Sequence, residues 1–250
     1  MHDTYLACLW SFTYCFTLFG EELVKNGLSN DLNHLLVKGN DTASKDVLEL
    51  FEWANSLKYD FSYWPQDLPS PRSRNTQCSV VNIITSYTAI YLIMHEYAHL
   101  VNKHVDSHRK TIGEKLNEEV LMQRYLNKEL ESEADQFALE STFISSDQNE
   151  IELFRRAFSI CNAQAFSLFL LKGPSLKQTD HPDLDVRLIN QLDQLILSSK
   201  KDRICFHLLI VLVNFINWHN IQISTLLFQY DARSTCIYIL DYLKENEERN

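Results

Sequence analysis

The 250-residue sequence predicts an all-α, or nearly all-α, fold. It contains only 5 Gly and 5 Pro, whereas a β-sandwich or barrel would need many more of these residues for its tight turns. Hydrophobic residues make up 45% of the chain and recur in long runs, which is typical of buried helices. The chain is long enough to bury a sizeable core, and we expect one helical domain over residues 1–250.

We divide this domain into three parts. Residues 1–78 contain N-terminal helices and a Pro-rich connection, residues 79–197 form a central core with the motifs described below, and residues 198–250 form C-terminal helices. No internal repeat and no low-complexity tract separates the parts.

The N-terminal part predicts two helices and an irregular connection. The first helix covers residues 4–26 in a mostly apolar run, and the second covers residues 43–57 with Thr42 or Ser44 as its N-cap. The stretch "YDFSYWPQDLPSPRSRNTQ" then holds three prolines. Since proline lacks a backbone donor and restricts φ, this stretch cannot be a helix.

The rest of the chain predicts six more helices. Residues 79–104 are rich in β-branched residues, but the length of the apolar run favours a buried helix over a strand. A helix starting within "SSDQNEIELFRRAF" ends at "KGP", and Pro182 begins the helix after it. The remaining helices are expected at 116–143, 182–197, 203–217 and 234–248.

Charge and cysteine usage limit the partners and the compartment. The formal net charge is -10, which argues against a nucleic-acid groove because binding phosphates requires an excess of Lys and Arg. The six cysteines are scattered without a C-x-x-C pair, and several lie in apolar runs. Buried free thiols are typical of a reducing compartment. We therefore expect a cytoplasmic protein.

Two apolar segments raise the question of a membrane. The segment "TYLACLWSFTYCFTLFG" has no basic region before it and no small-residue cleavage site, so it is a poor signal peptide. The run "ICFHLLIVLVNFINWHN" has a continuous apolar part shorter than the roughly 20 residues of a span. We predict buried core helices for both segments, with a membrane span as the alternative.

The stretch "AIYLIMHEYAHLVNKH" predicts a metal site. His95 and His99 are four residues apart, so on a helix they share a face and can both reach one ion. Glu96 flanks the same ion and can act as a base toward a water that zinc has activated. The alternative is a helix whose two histidines and acid only hydrogen-bond one another. Burying these groups in an apolar helix is costly unless a cation satisfies them, which favours zinc.

A third ligand is expected in "NKELESEADQFALE". Glu131 and Asp135 share a helix face, and Ala134 and Ala138 on that face are small enough to let this helix approach His95. We propose Glu131 as the third ligand and Asp135 as the acceptor for the second ring N–H of a ligand histidine.

Other acids in this stretch keep the choice of ligand open. Glu129 and Glu133 are alternative third ligands, and a solvated acidic helix face is the alternative to any ligand at all.

These residues resemble the gluzincin metallopeptidases. In that group H-E-x-x-H supplies two ligands and the glutamate of an E-x-x-x-D or E-x-x-A-D motif supplies the third, here Glu131 followed by Asp135. The later stretch "TDHPDLDVRLINQL" is similar to a His-Pro…Arg element of several such families, matched by His181, Pro182 and Arg187.

Two branches of the gluzincins share these elements. One is embedded in membranes and flanked by clear spans. The other comprises the Lit-type phage-exclusion peptidases, which are soluble and helical and have a Trp- and Tyr-rich N-terminal helix similar to "CLWSFTYCFTLF". The sequence resembles the Lit-type branch more closely, over about residues 5–195.

His181 and Arg187 have open roles. In one interpretation His181 reaches the metal site, where it stabilises an oxyanion or caps the open metal position. In the other it lies at the surface, just ahead of a Pro-initiated helix. Arg187 is expected to pair with a carboxylate and brace the site.

The motifs together predict a zinc-dependent endopeptidase. The ligands are His95, His99 and Glu131, and Glu96 takes a proton from the attacking water and passes it to the leaving amine. The Lit-type resemblance implies a triggered role in phage defence, a protein substrate such as a host translation factor, and an activating or inhibiting partner. The alternatives are a catalytically silent helical module with a structural metal and a membrane-anchored gluzincin.

Overall fold

The computed structural model describes residues 3–25, 42–57, 62–102, 117–143, 149–170, 175–177, 183–194, 201–221 and 231–249. These residues form eight helices and no strand, which confirms the predicted all-α fold. The helices are α1 (Asp3–Lys25), α2 (Thr42–Ser56), α3 (Thr76–Val101), α4 (Asn117–Phe143), α5 (Glu150–Leu170), α6 (Leu184–Gln194), α7 (Lys201–Trp218) and α8 (Ala232–Arg249).

Helix α3 begins three residues earlier than the apolar run indicates. Its N-cap is Asn75, whose side chain accepts a hydrogen bond from the Cys78 backbone N–H at 2.7 Å. The cap satisfies a donor that the first helical turn leaves free. The helix ends at Val101, and the backbone N–H of Asn102 donates to the carbonyl of Ala98 at 2.9 Å.

Helix α3 lies at the centre of the packing, against α1, α4 and α5. Its buried residues recur every three or four positions, so one stripe along the helix faces its neighbours. The stripe consists of Cys78, Val81, Ile84, Thr85, Thr88, Tyr91, His95 and Ala98. Because His95 continues a stripe that is otherwise mostly apolar, packing places its imidazole in the interior.

Helices α1, α2, α5 and α7 share a core of aromatic rings. Phe16 of α1 lies 5.7 Å from Phe51 of α2 and 5.7 Å from Phe169 of α5, measured between ring centroids. Phe169 in turn lies 5.7 Å from Phe215 of α7. Such edge and tilted ring contacts add to the apolar area that the helices bury. The aromatic core accounts for the apolar character of α1 and α7.

One of the described helices, α3, meets the criteria of length and composition for crossing a membrane, and 33% of its most apolar window is buried inside the protein. Core helices of soluble proteins meet the same criteria. All six cysteines are buried and free of disulfides.

Candidate active site

The imidazoles of His95 and His99 on α3 direct their Nε2 atoms toward each other. His95 and His99 lie one helical turn apart, and their Nε2 atoms are 3.3 Å from each other. The rings are nearly perpendicular, with centroids 5.0 Å apart. Helix α3 supplies this arrangement because residues four positions apart share a face. His95 is buried, whereas His99 is partly exposed.

Glu131 of α4 lies against both imidazoles. Its Oε2 is 3.1 Å from His95 Nε2, and its Oε1 is 3.3 Å from His99 Nε2. Ala134 and Ala138 of the same helix are completely buried, so nothing larger than a methyl group separates α4 from its neighbours there. The close approach brings the carboxylate within reach of the two rings.

The other two acids of this stretch point elsewhere. Glu129 and Glu133 are exposed, since positions two apart on a helix lie about 200° apart around its axis. Glu133 accepts a hydrogen bond from Asn102 Nδ2 at 2.8 Å, which ties the end of α3 to α4. Of the three candidate glutamates, Glu131 is the one that faces His95 and His99.

The three side chains fit a zinc ion. Donors held at about 2.0–2.1 Å in a tetrahedron lie about 3.3 Å from one another, and the three separations measured between the rings and the carboxylate are 3.1, 3.3 and 3.3 Å. His95, His99 and Glu131 are also a group of potential metal ligands whose donor atoms lie within 4.8 Å of one another. Three protein ligands leave a fourth position open, as in catalytic zinc sites.

The other ring nitrogen of His95 faces Asp135. Nδ1 is 3.0 Å from Asp135 Oδ1, an ion-pair distance at an angle short of a well-aligned hydrogen bond. Asp135 also receives a two-pronged contact from Arg187 of α6, whose Nε and Nη2 lie 2.8 and 2.7 Å from Oδ2 and Oδ1. Asp135 is therefore held between His95 and Arg187.

Salt bridges hold α6 in place around Arg187. Lys128 Nζ of α4 lies 3.0 Å from Asp183 Oδ1, just ahead of the helix. On the other side, Lys244 Nζ of α8 lies 3.1 Å from Asp185 Oδ2. The two bridges connect α6 and the residue just ahead of it to α4 and α8, and so they help to hold the backbone from which Arg187 reaches Asp135.

Electrostatics stabilise positive charge at His95. Burial by itself would lower the pKa of His95, but Asp135 and Glu131 outweigh it and raise this pKa to about 9. Burial would raise the pKa of Asp135, yet His95 and Arg187 hold it below its ordinary value. Without metal, the carboxylates are therefore balanced by a protonated imidazole, and a divalent cation can replace that proton.

Glu96 faces away from the buried stripe. Its side chain is exposed to solvent. Burial, and after it the negative charge of Glu96, raises the pKa of Tyr5 of α1. Tyr5 also contacts Phe166 of α5, with ring centroids 5.4 Å apart.

Three polar residues behind the site are absent from the sequence prediction. Tyr91 is fully buried and its hydroxyl donates to Asp135 Oδ1 at 3.1 Å. Gln164 of α5 and Gln191 of α6 both donate to the Tyr91 hydroxyl. One sequence signal points to Tyr91, since it lies four residues before His95 and shares its helix face. The two glutamines carry no such signal.

His181 and Pro182 lie outside the residues that the structure describes, so the role of His181 stays a prediction. Arg187 pairs with a carboxylate, and that carboxylate belongs to Asp135.

The comparison with known families identifies the chain. The model of the family described as Peptidase U49 matches residues 1–209. The chain belongs to the peptidase U49 family. The matched range of this U49 peptidase includes His95, His99, Glu131, Asp135 and Arg187, and it ends within α7, ahead of α8. No curated protein and no solved structure matches the chain.

Proposed function

We propose that this U49 peptidase is a zinc-dependent endopeptidase. The observation that carries the proposal is the meeting of His95 Nε2, His99 Nε2 and the Glu131 carboxylate within 3.3 Å of one another. Two imidazoles and one carboxylate are the donor set of one major class of catalytic zinc site. The family supports peptide hydrolysis, and the donor set supports the metal.

Each side chain has a distinct task in the proposed reaction. His95, His99 and Glu131 would hold the ion, which when bound polarises the scissile carbonyl and activates a water for attack. Glu96 adjoins His95 and accepts a proton from the attacking water. It then passes this proton to the amine of the departing peptide. Asp135 and Arg187 keep the His95 ring in orientation.

The experiment compares the wild-type chain with Glu96→Gln and His95→Ala. Metal analysis is expected to find about one zinc per chain in the wild type and in Glu96→Gln, and much less in His95→Ala. New peptide N-termini are then counted by mass spectrometry after incubation with a lysate of phage-infected cells, which supplies substrate and trigger together. We expect new termini with the wild type but not with Glu96→Gln or His95→Ala. A chelator should abolish the new termini in the wild type as well.

Three results would contradict the proposal. The same new termini with wild type and Glu96→Gln would remove Glu96 from the mechanism. A wild-type chain without zinc that is insensitive to chelator would rule out the metallopeptidase. Zinc in the wild type without any cleavage would point instead to a silent helical module with a structural metal.

The biological role that we propose is phage defence in the cytoplasm. It is supported by the resemblance to Lit-type phage-exclusion peptidases, and the six buried free cysteines accord with a reducing compartment. The protease would remain silent until an infection signal or a partner releases it, and it would then cleave a host protein such as a translation factor. Cells that express the wild type, but not Glu96→Gln, should then form fewer phage plaques. Constitutive cleavage of denatured casein would argue against a triggered protease.

A further inference from the structure

Behind the candidate zinc ligands lies a buried polar cluster whose members come from four helices. Tyr91 belongs to α3, Asp135 to α4, Gln164 to α5 and Gln191 to α6. The side chains of Tyr91, Gln164 and Gln191 are at most 5% exposed. Buried polar groups are costly unless they are paired, so a cluster of this size next to a metal site calls for a function.

In this cluster both glutamine side chains donate hydrogen bonds to the hydroxyl of Tyr91. Gln164 Nε2 lies 3.3 Å from the Tyr91 hydroxyl and 3.4 Å from Asp135 Oδ1. Since an ionised carboxylate only accepts hydrogen bonds, the group of Gln164 that faces it must be the amide NH2. Gln191 Nε2 donates to the same hydroxyl. The Tyr91 oxygen therefore receives two donors.

A phenol has a single proton to donate. With both glutamine amides directed at the oxygen, the proton of Tyr91 is left for Asp135 Oδ1, at 3.1 Å. Arg187 ties Asp135 to α6, whereas Tyr91 ties it to α3, one turn ahead of His95. The bond from Tyr91 holds the carboxylate to the helix that carries both imidazoles.

The position of Asp135 decides which nitrogen of His95 is free. Asp135 accepts from Arg187 and Tyr91, and its Oδ1 also lies 3.0 Å from His95 Nδ1, where an ionised carboxylate favours an N–H over a lone pair. The proton of a neutral His95 ring must then be on Nδ1, and the lone pair is on Nε2, facing Glu131 and His99.

We infer that Tyr91 is a positioning residue of the metal centre: its hydroxyl, directed by Gln164 and Gln191, holds Asp135 so that His95 presents Nε2 to the ion. This inference rests on the proposed zinc site and assigns a role to Tyr91, which lies outside the H-E-x-x-H motif. Loss of a group that orients a ligand typically lowers metal affinity by ~10–100-fold.

The test uses two matched variants of the full chain. Tyr91→Phe removes only the hydroxyl. Tyr87→Phe is the control, because Tyr87 lies one turn earlier on α3 and also donates to a carboxylate, that of Glu152, away from the metal site. Zinc dissociation constants are measured by competition with a chelator. We expect a rise of at least about tenfold in Tyr91→Phe and no change in Tyr87→Phe.

A spectroscopic measurement separates positioning from general weakening of the fold. In the zinc-loaded wild type labelled with ¹⁵N-histidine, NMR should show a proton on Nδ1 of His95 and the metal on Nε2. In Tyr91→Phe the Nδ1 signal should shift or broaden, while that of Tyr87→Phe stays as in the wild type.

The inference would be overturned if Tyr91→Phe bound zinc as tightly as the wild type does. Coordination of zinc by Nδ1 of His95 in the wild type would also overturn it. If Tyr91→Phe fails to fold, the test uses Gln191→Met, which keeps Tyr91 but removes one of the two groups that donate to its hydroxyl. A higher zinc dissociation constant in this variant supports the positioning role of Tyr91, and an unchanged one overturns it. A wild type that takes up no zinc overturns the proposed function, and this inference with it.

Discussion

Arg187 and Asp135 form a two-pronged ion pair in the interior, 52 residues apart in sequence, with nitrogen–oxygen distances of 2.7 and 2.8 Å. Both side chains are 12% exposed. A planar guanidinium matches the two oxygens of a carboxylate, which makes this geometry the strongest form of salt bridge. The pair connects α6 to the helix that carries Glu131, and therefore to the candidate metal centre.

Breaking this pair should destabilise the protein strongly. In Arg187→Ala, Asp135 loses its arginine partner while it remains buried, which typically costs about 3–5 kcal/mol. Arg187→Lys keeps the charge but loses the fork, so we expect a smaller loss. The measurement is the free energy of unfolding in urea.

The control for this pair is Arg233→Ala on α8. Arg233 pairs with Asp193 at 2.7 Å, but the two side chains are 41% and 49% exposed. Exposed pairs contribute less than about 1 kcal/mol. If Arg187→Ala and Arg233→Ala lose the same unfolding free energy, the pair of Arg187 with Asp135 contributes no more to stability than an exposed pair.

Glu131→Gln should abolish stoichiometric zinc binding while Glu133→Gln should retain it. Glu131 faces both imidazoles, whereas Glu133 is exposed and hydrogen-bonded to Asn102. A neutral amide is a poor ligand for zinc. Metal analysis after dialysis is the measurement, and zinc retained in Glu131→Gln but lost in Glu133→Gln would exchange the roles of the two acids.

Ala134→Leu should weaken both folding and zinc binding. Ala134 is fully buried on the face of α4 that carries Glu131, so a larger side chain must push this helix away. Overpacking of this kind costs about 1–3 kcal/mol. Urea unfolding and chelator competition measure the two effects. Ser132→Leu, at an exposed position of α4, should change the unfolding free energy by no more than about 0.5 kcal/mol.

His207 should make the fold sensitive to acid. It lies between Phe16 and Phe158 in the core, and burial lowers its pKa from 6.5 to about 3. Between these two values the unfolded chain binds a proton that the folded chain does not. Stability from this residue is therefore present above about pH 6.5 and declines as the pH falls toward 3.

The variant His207→Phe removes this contribution. From pH 7 to pH 5 the wild type should lose about 2 kcal/mol more unfolding free energy than the variant. Unfolding in urea at both pH values measures the difference. If wild type and variant lose the same amount, His207 is already charged in the folded protein or is not buried as described.

Local patterns in the chain predict much of the fold. Scarcity of Gly and Pro, long apolar runs and cap residues predict the helices and most of their limits, because these depend on a few neighbouring residues. The end of α3 was predicted at His104, but the helix ends at Val101. Ends of helices depend on tertiary contacts such as that between Asn102 and Glu133.

The sequence by itself determined that His95 and His99 lie close together, because helical periodicity alone puts the two imidazoles on one face. It also confined the candidate third ligand to one acidic stretch. The choice of Glu131 over Glu129 and Glu133 was decided by the tertiary structure. Which of several acids meets an imidazole depends on how α4 is rotated and how closely it approaches α3, and packing of Ala134 and Ala138 sets both.

The tertiary structure decided which side chains meet Tyr91 behind His95. Tyr91, Gln164 and Gln191 come from three helices, and no spacing within any one of them indicates that they meet. A hydrogen-bond network across helices forms only where packing brings its members together. Short-range periodicity therefore pairs His95 with His99, while the polar side chains packed behind them are selected by the three-dimensional arrangement of the helices.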